Sequence, residues 1–153
     1  MELQSILVAT DFSDCSATAF QTARKLAQTF QAKIILLHVV SQKRVNVLAE
    51  YLMVEPDSLI PNLREKAQEQ LAEFIKRLGT EGVGVDTMVT VGLPFQEIAV
   101  IARDLAVDLV VLGGSGRRGR TYLEDVFFGS TAEKVVRLLP CPVLCVPLGE
   151  GEK

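Results

Sequence analysis

The run Lys33–Val40, KIILLHVV, most limits what this chain can become. Apart from Lys33 and His38 it is apolar at every position, not at alternate ones. A strand with one face in water alternates. A strand without alternation is buried on both faces, which is the habit of parallel sheets covered by helices on either side. Similar short runs stand at Ser5–Thr10 (SILVAT), Asp108–Leu112 (DLVVL) and Cys141–Pro147 (CPVLCVP). Val85–Val91 (VDTMVTV) alternates more, so this strand is expected at a sheet edge.

Helical spacing fills the intervals. Ala17, Phe20, Ala23, Ala27 and Phe30 recur at the period of a helix, as do Leu63, Ala67, Leu71, Phe74 and Leu78 within Leu59–Leu78. Gly79 and Gly82 close that second helix. Pro94 suits the first turn of a helix over Phe95–Leu105. A last helix is expected over Ser130–Leu139. Ser41–Pro56 shows no period and reads as a long irregular connection. Alternating strands and helices imply an α/β fold, a five-stranded parallel sheet with right-handed crossovers over both faces.

With 153 residues the chain is expected to form one domain, 1–153, with its core over 4–148. A net charge of −3 gives no general attraction to nucleic acid or to an anionic membrane. No apolar run approaches the ~20 residues of a membrane span. Met1-Glu2-Leu3-Gln4 lacks the basic start of a secretory signal, so a cytoplasmic location is expected. The three cysteines, Cys15, Cys141 and Cys145, share the chain with a single histidine, His38. A structural zinc site needs more ligands than that arrangement offers, so reduced thiols and no metal site are expected.

Asp108–Thr131 carries the chemistry. An apolar run meets Gly113, Gly114, Gly116 and Gly119, and after a polar turn Gly129-Ser130-Thr131 opens a helix-like pattern. A glycine loop at a helix N-terminus presents unpaired N–H groups and a partial positive charge, which suits a phosphate. The same residues would also serve as a glycine-rich surface turn with a serine N-cap. In open α/β sheets ligands bind beyond the carboxyl ends of the strands, where the strand order reverses. Those ends are Thr10-Asp11, His38-Val39-Val40, Val91-Gly92 and Leu112-Gly113. If the first and fourth strands are neighbours, Asp11 and the glycine loop share one crevice.

From Ile6 to Pro147 the chain resembles the universal stress protein family. ILVATDFSDCSATA is similar to that family's first-strand signature, IILLHVV to its second strand, and GSTAEKVVRLLPCPVLCVP to its ending. The Gly92-x-Pro94 turn also fits. The most specific feature is the family's ATP-binding pattern G-x2-G-x9-G-[ST], matched without a gap by Gly116-x2-Gly119-x9-Gly129-Ser130. In the family the first glycine usually follows the fourth strand directly. Gly113-x2-Gly116 holds that place here, three residues too far from Gly129. Two registers therefore stand: Gly116 and Gly119 along the phosphates, or Gly113 and Gly116 with an insertion. The retained downstream spacing favours the first.

The resemblance implies a Rossmann-like or flavodoxin-like three-layer sandwich with strand order 3-2-1-4-5. It implies ATP as ligand, with Asp11 able to hold a phosphate-bound Mg2+. Ala9, Thr10 and Asp11 would border the nucleoside, Asp11 near the ribose, and the Val39 backbone would meet the adenine edge. Gly116 and Gly119 would lie along the phosphates, and Gly129, Ser130 and Thr131 would close on them. Arg117, Arg118 and Arg120 would add charge-assisted contacts or form a solvated basic loop. Asp11 has a second reading, as N-cap of the first helix. The resemblance also implies a homodimer through strand 142–147, whose apolar edge needs a cover. The C-terminal tail or Ser41–Pro56 are the other candidate covers.

The glycine loop lacks the lysine of G-x4-G-K-[ST], so it is not a Walker loop. A histidine in an apolar strand is more often a satisfied core residue than a base. The chain is thus expected to hold ATP as a regulatory or stress-response module. The alternatives are a slow ATP hydrolase and a dimeric scaffold of the same fold without nucleotide. Asp11 as a phospho-acceptor is the least favoured reading. Ser13 stands where the second carboxylate of D-x-D would be, and Val91-Gly92 where a receiver domain needs an acid.

Overall fold

The computed structural model describes residues 2–113 and 137–147. Its elements run β1 (Ser5–Ala9), α1 (Asp14–Phe30), β2 (Lys33–Ser41), α2 (Gln42–Leu52), α3 (Pro56–Leu78), β3 (Val85–Gly92), α4 (Pro94–Asp104), β4 (Leu109–Gly113) and β5 (Val143–Val146). The strands form one sheet in the order β3-β2-β1-β4-β5, and every neighbouring pair is parallel. This is the expected order, with the alternating strand β3 at an edge.

The unbroken apolar runs fill both faces. Ile6, Val8, Ile34, Leu36 and Val111 point to one side, where they pack with Ala19, Phe20 and Ala23 of α1 and Leu71 and Phe74 of α3. Leu7, Ala9, Ile35, Leu37, Val39, Val110 and Leu112 point to the other, against Ile98 and Ala102 of α4. The period of two along each strand sends successive residues into opposite layers. Phe20 and Phe74 meet edge to face, with centroids 5.7 Å apart.

Local signals explain most boundaries. The Ser13 side chain accepts from Ser16 N–H and caps α1. α1 starts at Asp14, three residues before its apolar period becomes visible. α3 opens on Pro56 and ends at Gly79, whose φ is 79°. Arg24 of α1 reaches across to the carbonyls of Leu78 and Gly79, which the helix end leaves without intrahelical donors.

Three expectations fail. The segment 41–56 is not an irregular connection: residues 42–52 form α2, capped by the Ser41 side chain on Arg44 N–H. Its period was hidden because only Val45 and Ala49 are buried, while Val47, Leu48, Tyr51 and Leu52 are apolar on the exposed side. The last helix was expected to reach Leu139. Residues 137–139 are non-helical, and 130–136 lie outside the described residues. β5 is also shorter than expected. Pro142 precedes the strand, and its carbonyl accepts from Val110 N–H.

Candidate functional site

The chain leaves β1 for β2 over one face of the sheet through α1, and leaves β3 for β4 over the other through α4. The strand order therefore reverses between β1 and β4, which pair directly over Ile6–Val8 and Leu109–Val111. A crevice is expected beyond their carboxyl ends.

Pairing of β1 with β2 ends at Ala9–Leu37, but β2 runs on to Ser41. On β2 the backbone of Lys33 donates toward β1, the Leu37 carbonyl accepts from Thr10, and Ile34 donates toward β3. Odd-numbered residues of β2 thus aim their backbone groups at β1. Two residues after Leu37, the N–H and C=O of Val39 face the side where β1 has already ended. The Val39 side chain is buried against the α4 layer.

The turn that replaces β1 is held from within. Thr10 is buried. Its Oγ1 accepts from Phe12 N–H at 2.9 Å and lies 2.8 Å from Ser16 Oγ. Ser16 Oγ in turn donates to the Ser13 carbonyl. Phe12 takes a φ of 67°, a left-handed conformation that is uncommon for a bulky side chain. Its ring lies on His38, centroids 4.5 Å apart, and meets Phe74 edge-on. Asp11 is half-buried. One carboxylate oxygen accepts from Ser13 N–H at 3.0 Å, so Ser13, not Asp11, caps α1.

His38 Nδ1 lies 2.8 Å from the Thr10 carbonyl. A carbonyl only accepts, so Nδ1 carries the hydrogen. Burial pushes the His38 pKa below its ordinary value of 6.5. The Thr10 bond and the Asp11 charge oppose that shift, and the Arg44 charge adds to it.

Gly113 ends β4 against the same turn. A Cβ at this position would lie 2.6 Å from the backbone C and O of Cys15 and 3.0 Å from Ser16 N. The end of β4 and the first turn of α1 therefore meet backbone to backbone, closer than any side chain permits. Ala9, Thr10, Asp11, Val39 and Gly113 all belong to this one end of the sheet. Gly116, Gly119, Gly129, Ser130 and Thr131, with Arg117, Arg118 and Arg120, lie outside the described residues. Sequence reasoning missed Phe12 and Ser16. The only available signal was Ser16 standing three residues after Ser13, the spacing of a local capping pair.

The universal stress protein family model matches residues 2–147. The chain belongs to the universal stress protein family. Among curated members, Universal stress protein MJ0531 of Methanocaldococcus jannaschii is 34 % identical over 144 residues, covering 94 % of this chain and 81 % of that protein. The solved structure of MJ0577, from the same organism, aligns with a TM-score of 0.74 at 29 % identity, over 98 % of this chain and 99 % of the other. The universal stress protein from Archaeoglobus fulgidus in complex with dAMP aligns with a TM-score of 0.62 over 95 % and 99 % of the two chains. At 21 % identity this last likeness shows the fold alone.

Proposed function

We propose that the chain holds ATP beyond the carboxyl ends of β1 and β4 and acts as a nucleotide-dependent regulatory or stress-response module. The observation that carries this reading is the early end of β1 beside a longer β2, which turns the Val39 backbone toward the side where β1 has ended. An adenine edge offers one donor and one acceptor, and a single peptide-linked residue can answer both. Asp11 uses one oxygen on Ser13 and has a second to offer a ribose hydroxyl. Thr10 shapes the turn from beneath, and Ala9 is the last paired residue of β1.

The phosphate role in this proposal rests on the sequence motif Gly116, Gly119, Gly129, Ser130 and Thr131. The packing of Gly113 on Cys15 accounts for that glycine without a ligand, which supports the Gly116–Gly119 register. A protein of the same fold has been solved in complex with dAMP, so the fold itself can hold a nucleotide. Among the described residues no three His, Cys, Asp or Glu side chains cluster as a metal site. If a Mg2+ accompanied the phosphates, Asp11 would be the residue to hold it, and the ion would neutralise phosphate charge.

The proposal includes a homodimer through β5, which ends the sheet with Leu144 and Cys145 exposed. A calorimetric titration of MgATP into the wild type and Asp11→Ala tests the nucleotide site. A loss of one good hydrogen bond predicts about tenfold weaker binding in the variant. Equal affinity of the two proteins would remove Asp11 from the site.

A further inference from the structure

α2 presents an apolar face to water. Val45 and Ala49 turn inward and are buried. Val47, 61 % exposed, and Tyr51, 83 % exposed, stand on the opposite side, with Leu48 and Leu52 exposed on the flank between. These positions are three and four apart and form one stripe. Met53, 90 % exposed, and Val54 extend it past the helix end. Single exposed apolar residues are ordinary, but a contiguous patch of this kind marks a contact surface. Met53 adds a second sign. It takes the left-handed C-cap conformation, φ 58°, where glycine is the usual residue. A large apolar side chain is kept there at a conformational cost, with almost all of its surface in solvent.

The charges around the stripe indicate what covers it. Lys43 and Arg44 are exposed at the amino end of α2. Glu50, Glu55 and Asp57 are exposed at its carboxyl end and just beyond. No ion pair among the described residues uses any of these groups. A basic end, an apolar middle and an acidic end complement a second copy of themselves when the copies run antiparallel about a two-fold axis. The 11 residues of α2 span about 16 Å. With the axis beside Val47 and Leu48, Arg44 comes opposite the partner's Tyr51. Lys43 and Arg44 then lie within about one helical turn of the partner's Glu50 and the partner's Glu55. An anionic lipid surface would attract the basic end but repel the three carboxylates and the net charge of −3.

We infer that α2 and the turn after it form a self-association surface that docks antiparallel on α2 of a second copy of this chain. The test is sedimentation of the full chain from about 1 to 200 μM, a range that spans ordinary weak association. All proteins carry Leu144→Lys, so that pairing through β5 cannot supply the signal. Association is expected in this background and should weaken at least tenfold with Val47→Glu and Tyr51→Glu together. Reversing the basic end (K43E with R44E) or the acidic end (E50K with E55K) should each leave a monomer, and mixing the two should restore association. Circular dichroism confirms that each variant is folded. The inference is overturned if Val47→Glu with Tyr51→Glu leaves the mass unchanged, or if the reversed proteins associate equally well alone. A protein monomeric at every concentration that instead pellets with phosphatidylcholine–phosphatidylserine vesicles would overturn it in favour of a lipid surface.

Discussion

At the scale of single residues, His38 does unexpected work. It stands in an apolar strand, but it fastens the turn that ends β1 through Thr10 and carries the ring of Phe12. Burial holds its pKa below 6.5, so between the folded value and 6.5 the unfolded chain binds a proton that the folded chain refuses. The stability His38 contributes is complete above 6.5 and is lost as acid carries the pH down through the lowered folded value. Urea denaturation of wild type and His38→Gln from about pH 7.5 to about pH 5 measures this directly. The difference should move in favour of the variant as pH falls. Because the chain has one histidine, its imidazole titration by NMR is unambiguous. A midpoint at or above 6.5 would contradict the burial. The sequence offered only that a histidine in an apolar strand is more often a satisfied core residue than a base, and the Thr10 bond bears that out. A histidine between Leu37 and Val39 shows that it is half-enclosed by a strand, not which carbonyl it meets from the next one.

At the scale of elements, β4 and the first turn of α1 meet backbone to backbone at Gly113. A methyl group there would overlap the Cys15 backbone, which cannot rotate away as a side chain can. Gly113→Ala should therefore destabilise the fold by about 1–3 kcal/mol, the usual cost of overpacking, read as a lower urea midpoint at unchanged slope. An unchanged midpoint would mean that α1 has room to recede. The strands were legible because burial on two faces leaves an unbroken apolar run, and β3 because an edge strand must alternate. α1, α3 and α4 were legible because each has one apolar face toward the sheet. α2 was not. Its inner face holds Val45 and Ala49, while Val47, Leu48, Tyr51 and Leu52 blur the period from outside. The property that hid the helix is the one that makes it a docking surface. β5 was read too long for a simpler reason: an apolar run fixes where a strand can lie, but pairing decides where it begins.

At the scale of the whole molecule, the order β3-β2-β1-β4-β5 brings distant stretches to one end of the sheet. Asp11, Val39 and Gly113 are far apart in sequence, yet parallel pairing on both sides of β1 makes them neighbours. The sequence marked all three as strand ends, but only the family resemblance singled out Val39, because nothing local distinguishes it from the other residues of its strand. The role proposed for it rests on β1 ending at Ala9 while β2 continues, which is a fact of register. The glycine motif was the reverse case, legible in the sequence by its spacing but outside the described residues.

The central claim is that this end of the sheet holds ATP. The direct measurement is chromatography of the nucleotide released by acid or heat from freshly purified protein, followed by MgATP titration of the emptied chain. ATP should be released intact, or be restored by the titration to about one per chain, with Gly129→Val unable to hold it. Protein that is empty when purified and takes up no ATP at millimolar nucleotide would contradict it.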